Sequence, residues 1–216
     1  TMIDIHSHIL WGLDDGAKDQ EISMKMLKIA EKEKIKDIIV TPHFIIGHET
    51  YDQSLLQSRL QEVQQQIHQR GINIQLHMGQ ELFLDPALPE LWEEGVYTSL
   101  ANSKYLLIEF PMSEIPYYTK DVLYRLQVKG LIPIIAHPER YREVQKDPNI
   151  LAEYIEYGGF VQMNTSSMVG IFGEQVATTA KILWEHNMVH FIGTDAHTVR
   201  RRAPKCLQAY ELAKEW

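Results

Sequence analysis

The sequence predicts an α/β protein, a closed (β/α)7 TIM-like barrel formed by one domain over residues 1–216. Three observations predict it. Strand-like and helix-like segments alternate seven times at about 30 residues per unit, with no linker or shift of composition to divide the chain. Inner runs such as Ile38-Ile39-Val40 and Leu131-Ile132-Pro133-Ile134-Ile135 are apolar on both faces, as parallel strands covered by helices should be. Histidines and carboxylates stand at the C-terminal end of almost every strand-like run. In a closed barrel those ends converge on one rim. An open doubly wound sheet, the structural rival, would spread them along a line too long for one cluster.

The first strand is Met2 to Leu10, where Ile3, Ile5 and Ile9 alternate with Asp4, His6 and His8. Period-2 geometry puts both imidazoles on one face. Asp4 shares that face one step deeper, placed to hydrogen-bond either a ligand imidazole or a backbone amide. Trp11 to Gly16 is a loop with a turn signal, Asp14-Asp15-Gly16. A helix over Ser23 to Lys34 precedes a second strand, Lys36 to Thr41, stopped by Pro42. A polar loop through Gly47 leads into a Gln-rich helix from about Asp52 to Gln69, closed by Gly71.

Ile72 to Leu82 reads as the third strand and Pro86 to Glu94 as a short helix with proline near its start. Tyr105 to Phe110 is the fourth strand, followed by a helix over Thr119 to Lys129. Leu131 to Ala136 is the fifth strand, with a helix over Pro148 to Tyr157. Phe160 to Asn164 is the sixth, with a helix over Phe172 to His186. Val189 to Thr194 is the seventh, and Pro204 to Trp216 is the last helix.

The chemistry-bearing residues are His6, His8, Asp15, His43, Glu81, Glu109, His137, Asp195 and His197, five imidazoles and four carboxylates. Carboxylates placed directly after apolar strands are costly to bury unless paired or metal-bound. The set is large enough for three divalent ions if the glutamates bridge. Mixed N/O donors suit manganese, zinc or ferrous iron better than calcium. His68, His77, His186 and His190 fall on helix faces or strand interiors and read as structural; His48, in the loop after His43, is a weaker candidate for substrate contact. Phe44, Tyr117, Tyr118 and Tyr141 lie in rim loops and could flank an aromatic substrate, although each alone is more often packing.

The ordered motifs His6-x-His8, Asp14-Asp15-Gly16, Thr41-Pro42-His43, Gly79-Gln80-Glu81, Leu107-Ile108-Glu109, His137-Pro138-Glu139-Arg140, Val189-His190-Phe191 and Asp195-x-His197 resemble the polymerase and histidinol phosphatase (PHP) superfamily. Within it, the chain is most similar to the bacterial manganese-dependent protein-tyrosine phosphatases of capsule and exopolysaccharide synthesis. The resemblance implies a distorted seven-stranded barrel holding three ions, Mn2+ with Fe2+, Co2+ or Zn2+ as alternatives. It implies phosphate-gripping, catalytic roles for Arg140 and Arg202, and a phosphotyrosine protein, a bacterial tyrosine autokinase, as partner. Arg200 and Arg201 read as a solvated face. Relatives usually continue for another element where this chain stops, which leaves room for a truncated C-terminal end at Trp216.

The implied reaction is phosphomonoester hydrolysis, with histidinol-phosphate phosphatase as the nearest enzymatic alternative. A cysteine-phosphatase mechanism is unsupported, because no arginine follows Cys206 closely. An amidohydrolase usually adds a bridging lysine, and no strand here ends in one. A barrel that keeps metals only as a binding platform is the non-enzymatic alternative; Arg140 beside an open set of ligands argues against it. The net charge of −8 argues against a nucleic-acid footprint or an anionic membrane surface. A single cysteine, no secretory signal pattern and no membrane-length apolar run predict a cytoplasmic protein without membrane insertion. Thr1 ahead of Met2 reads as an expression remnant.

Overall fold

The computed structural model describes residues 2–48 and 52–216; the expected remnant Thr1 lies outside them. Every strand pairing is parallel. Strands β1 (Met2–Asp4), β2 (Ile35–Ile39) and β4 (Gln75–His77) form one sheet in the order β1-β2-β4. The other contains β3 (His43–Phe44), β5 (Glu81–Phe83), β6 (Tyr105–Glu109), β7 (Ile132–Ala136), β8 (Phe160–Asn164) and β9 (Phe191–Gly193), in the order β3-β5-β6-β7-β8-β9.

The strand expected over Lys36 to Thr41 ends at Ile39, and a further strand follows the proline that was expected to stop it; the next expected strand is broken in the middle. Pro42 has no N–H to give to a ladder, so pairing lapses after Ile39 and resumes at His43. The neighbouring run, expected as one strand over Ile72 to Leu82, breaks at Met78 to Gln80. A Cβ on Gly79 would lie 2.8 Å from Ile39 Cγ2 and 3.0 Å from the Val40 carbonyl, so only glycine allows this approach. Val40 N–H to His77 O (2.9 Å) and Glu81 N–H to Pro42 O (3.2 Å) carry the pairing across both breaks. His43 is thereby set directly opposite Glu81.

Beyond β1 the chain meets the segment after β9. Ser7 bridges Ala196, and Asp195 N–H to His6 O and His8 N–H to Ala196 O are both 2.8 Å. Asp4 fixes this junction by accepting from Thr194 N–H (2.9 Å), Thr194 Oγ1 (2.5 Å) and His6 N–H (3.3 Å). Of the two roles expected for Asp4, the backbone one holds; it touches no imidazole.

Nine helices among the described residues pack outside the strands: α1 (Gln20–Lys32), α2 (Gln53–Gln69), α3 (Leu88–Glu93), α4 (Thr119–Val128), α5 (Arg142–Lys146), α6 (Asn149–Glu156), α7 (Thr165–Met168), α8 (Glu174–Glu185) and α9 (Leu207–Glu215). The first begins three residues earlier than its apolar spacing suggests, because the Asp19 side chain caps Ile22 N–H. The short α5 and α7 were not expected, being too brief to show a period. Ile135 of β7 packs under the helices with Ile108, Val122, Leu126 and Val161. Its neighbours Ile134 and Ala136 enter a smaller cluster with Leu100 and Leu107, against Ile5, Ile39, Phe160 and Phe191. Both faces of this strand are buried, as its composition predicts.

Candidate metal centre

All nine expected ligands converge on one cluster: Glu109, His137 and Asp195 come from the C-terminal ends of β6, β7 and β9, while His43 and Glu81 open β3 and β5 beyond the interruptions. Glu81 sits in the middle: its Oε2 lies 3.1 Å from His6 Nε2, 3.0 Å from His8 Nε2 and 3.2 Å from His43 Nδ1. Its Oε1 is 3.2 Å from His137 Nε2, which is also 3.0 Å from Glu109 Oε2. Asp195 Oδ1 is 3.2 Å from both His6 Nε2 and His8 Nε2. Asp15 Oδ1 joins His43 Nε2 (3.3 Å) to His197 Nε2 (3.2 Å).

These spacings fit metal ligation. Two donors each about 2.1 Å from an ion, subtending 90–110°, stand about 3.0–3.4 Å apart. Glu81 Oε2 is buried against three imidazole nitrogens yet hydrogen-bonds none of them, and His43 Nδ1 is also without a hydrogen-bond partner. Three groups of donor atoms, each within 4.8 Å of one another, could hold an ion: His8/Asp15/His43/His197, His6/His8/Glu81/Asp195 and His43/Glu81/Glu109. His137 and Asp195 have left-handed backbone, at φ 32° and 49°. Such strain in a non-glycine residue costs about 1–3 kcal/mol and collects at functional sites.

The electrostatics set ionised buried carboxylates against imidazoles with raised proton affinity. Burial opposes ionisation of Glu81, but His6, His43 and His137 outweigh it and hold the carboxyl well below the usual range. Burial likewise opposes ionisation of Asp195, and His6, His8, His197 and Arg202 outweigh it. Burial and nearby His8 oppose the His43 imidazolium, but Glu81, Asp15 and Glu109 raise it to about 9. Burial is also outweighed at His137, where Glu109 and Glu81 raise the value to about 10.

A cleft of about 240 Å³ opens over the cluster, with Arg140 and Arg202 in its wall. Arg202 Nη2 is 2.8 Å, and Arg140 Nη1 3.4 Å, from Asp195 Oδ2. The Phe172 ring lies 4.2 Å from the Arg140 guanidinium carbon and 5.4 Å from that of Arg202. Two planar donors thus stand side by side at the edge of the cluster, with a geometry that can accept two oxygens of an anion.

The profile of the family described as capsular polysaccharide synthesis, CpsB/CapC, matches residues 2–215. The chain belongs to the CpsB/CapC family. It is 37% identical to tyrosine-protein phosphatase YwqE of Bacillus subtilis, over the whole of this chain and 85% of that one. It is 30% identical to tyrosine-protein phosphatase CpsB of Streptococcus pneumoniae, over 98% of this chain and 89% of that one. A chain from the crystal structures of YwqE and CpsB, described there as metal-dependent tyrosine phosphatases, superposes with a TM-score of 0.96 at 35% identity, covering 99% of this chain and 87% of that chain.

In this CpsB/CapC protein the imidazoles are aimed by residues that sequence reading passed over. His8 Nδ1 is 2.7 Å from Asp14 Oδ2, and the Asp14 carboxylate also accepts from His43 N–H and Gly16 N–H, both at 2.9 Å. His6 Nδ1 donates to Gln162 Oε1 (2.8 Å). Gln162 Nε2 donates to Asn164 Oδ1 (2.9 Å), and Asn164 Nδ2 returns to Asp195 Oδ2 (2.8 Å). His197 Nδ1 donates to the Asp195 carbonyl (2.8 Å). In His6, His8 and His197 the Nε2 lone pair is left for the centre. Asp14 had a signal, its adjacency to Asp15; Gln162, Asn164 and Phe172 had none at their distance along the chain.

Two expected rim aromatics are corrected. Phe44 is buried in the core beside Tyr97. Tyr141 is fully buried, its hydroxyl donating to Ala136 O (2.6 Å) and accepting from Phe110 N–H (2.9 Å). Phe44 lies within β3 itself, and Tyr141 follows the end of β7; both rings turn into the core. Tyr117 is 98% exposed, packed edge-on against Tyr118. His48 is exposed, and its backbone N–H closes a turn onto Ile45 O. His77, His186 and His190 make structural bonds, to Asp37, Ile182 O and Val161 N–H respectively.

Proposed function

We propose that the chain is a metal-dependent phosphomonoesterase that removes phosphate from tyrosine on a protein, a tyrosine autokinase of polysaccharide export. The observation that carries this reading is the pair Arg140 and Arg202 beside nine converging metal-type ligands in an open cleft. The names of its relatives and the description of its family support the substrate class. His6, His8, Asp15, His43, Glu81, Glu109, His137, Asp195 and His197 are assigned as ligands of three ions. The N/O donor set suits Mn2+, with Fe2+, Co2+ or Zn2+ as alternatives. The two sheets act as one distorted seven-stranded barrel, a reading supported by the Ser7–Ala196 bridge and by the small cluster drawn from both sheets. Cys206, a free buried thiol, suits a cytoplasmic location. No helix among the described residues is long and apolar enough to cross a membrane.

Bound divalent ions supply Lewis-acid polarisation of the phosphoryl group and a nucleophile from water at neutral pH. The chain does the rest. Arg140 and Arg202 leave Asp195 Oδ2 for two phosphoryl oxygens and offset the charge that spreads over them in the transition state. Asp14 and Gln162 keep the His8 and His6 lone pairs aimed at the centre. The open cleft admits an aryl group on an extended chain, and a phenolate leaves with little help from an acid.

The test is kcat/KM for a phosphotyrosine peptide, a phosphoserine peptide and histidinol phosphate at matched metal content, verified by elemental analysis. Phosphotyrosine should lead both others by at least about tenfold, about 1.4 kcal/mol in the barrier. Preference for histidinol phosphate would overturn the protein-substrate reading, and no turnover of any ester would leave the metal platform.

A further inference from the structure

A second concavity of about 160 Å³ lies beside α7 and α9, away from the ligand cluster. Arg200, Arg201 and Lys205 line it and are exposed, and no carboxylate does. Elsewhere in this acidic chain Arg70, Lys120, Arg125 and Lys129 each pair with a carboxylate. Among the described residues none of these three cations makes an ion pair. Ser166 lines the same cavity, is only 7% exposed, and its Oγ has no hydrogen-bond partner. A buried hydroxyl left unpaired beside Arg200 and Lys205, neither of them in an ion pair, is a donor set without its acceptor.

Consecutive residues of two segments separate this cavity from the metal cleft. Ile171 lines the cavity, while Phe172 stacks on Arg140 and Arg202. Arg201 lines the cavity and donates to Ile171 O (2.6 Å), while Arg202 faces the cleft. A polypeptide leaving the cleft over these segments advances about 3.3 Å per residue, so groups only a few positions from the reacting tyrosine reach the cavity.

We propose that this cavity is a second anion subsite of the enzyme, taking a carboxylate or phosphate borne by the substrate chain a few residues from the phosphotyrosine. It rests on the tyrosine-phosphatase reading. Arg200 and Lys205 supply charge and N–H donors, and the Ser166 hydroxyl supplies a bond at the floor. A concave site with a buried hydroxyl suits a discrete anion better than a flat anionic membrane.

The metal-loaded enzyme is assayed with p-nitrophenyl phosphate and three sets of phosphotyrosine peptides: neutral, carrying one glutamate, and carrying a second phosphotyrosine. The added group is scanned from four residues before to four after. At some offset an anionic peptide should exceed the neutral one in kcat/KM by about tenfold, through charge-assisted bonds, with the gain shrinking as salt rises. The Glu and phosphotyrosine sets tell which anion the cavity takes. In Arg200→Ser/Lys205→Ser the preference should fall to about onefold, with p-nitrophenyl phosphate turnover within twofold of wild type; Ser166→Ala should lose part of it. Wild-type enzyme that cleaves the neutral peptide with no preference at any offset overturns the subsite alone. So does a preference that survives the double variant, or charge-dependent binding to phosphatidylglycerol vesicles with peptide kinetics unchanged. Wild-type turnover of p-nitrophenyl phosphate but of no peptide overturns the protein-phosphatase reading and the subsite with it.

Discussion

Replacing Asp14 by asparagine tests whether the cluster depends on residues that never touch its centre. The carboxylate accepts three N–H groups: His8 Nδ1 and His43 N at Oδ2, and Gly16 N at Oδ1. An amide has one oxygen, so either orientation in Asp14→Asn sets an NH2 against a donor. If the NH2 faces Gly16, the turn carrying Asp15 loosens. If it faces His8, the imidazole must take the other tautomer and turn an N–H toward the centre. Loss of a group that orients a ligand imidazole costs 10–100-fold in metal affinity, or about 1.4–2.7 kcal/mol at about 1.4 kcal/mol per decade. The assay is reactivation of metal-stripped enzyme in chelator-buffered Mn2+, with calorimetric titration alongside. The activation midpoint should rise 10–100-fold, while kcat at saturating metal recovers most of its value. A midpoint within twofold of wild type, or a fall in kcat with no shift in midpoint, refutes the reasoning.

Glu81→Ala should abolish activity and release metal by elemental analysis, because Glu81 contacts four imidazoles, whereas Arg140→Ala should keep its metal and lose about 3 kcal/mol of barrier lowering, roughly two orders of magnitude in rate; the reverse ranking sinks these roles. Phe172→Leu keeps the bulk and removes the π face under both guanidiniums, and should raise KM and the inhibition constant for inorganic phosphate about three- to tenfold, with Phe172→Trp restoring both. Tyr141→Phe should cost about 1–3 kcal/mol by leaving Phe110 N–H and Ala136 O unpaired, read as a lower Tm, with kcat/KM for phosphotyrosine unchanged if the ring has no substrate role. His43 and His137 are held at about 9 and about 10 in the metal-free protein, above the ordinary value of about 6.5, so their contribution to its stability is full below about pH 6.5 and is lost as pH rises through 9 to 10. Metal uptake needs those protons gone, so the metal-induced rise in Tm should grow from pH 6.5 to 9; a flat or shrinking rise contradicts it.

That the nine candidate residues cluster was legible because a solvated surface or an apolar core does not concentrate histidines and carboxylates after apolar strands. The strand positions followed from apolar runs such as Tyr105 to Ile108. Less visible were the two interruptions at Pro42 and Gly79, which re-aim His43 and Glu81. A proline can end a strand or merely break it, and only the neighbouring backbone decides. Gln162 and Asn164 were invisible for another reason. They lie on β8, whose residues read as an ordinary buried run, and their role exists only because β8 passes behind His6 and Asp195. The same holds for Phe172, which meets two arginines from different loops. Phe44 and Tyr141 show the converse error: Phe44 belongs to a strand that the proline hid, and for Tyr141 position in a loop says nothing about which way a ring turns.

The junction of Asp4 with Thr194 also sets an order of events during synthesis. These residues are 190 positions apart in the chain, and so are His6 and Asp195 within one position. At about 5–20 residues per second, the first two histidines wait about 10–40 s on the ribosome before their last partners emerge. Until then His6 and His8 lack Asp195, and Asp15 lacks His197, although the contacts of Glu81 with His6, His8, His43 and His137 need no later residue. Of the three donor groups, the two that include Asp195 or His197 are therefore completed only near the end of synthesis, while His43, Glu81 and Glu109 are present earlier.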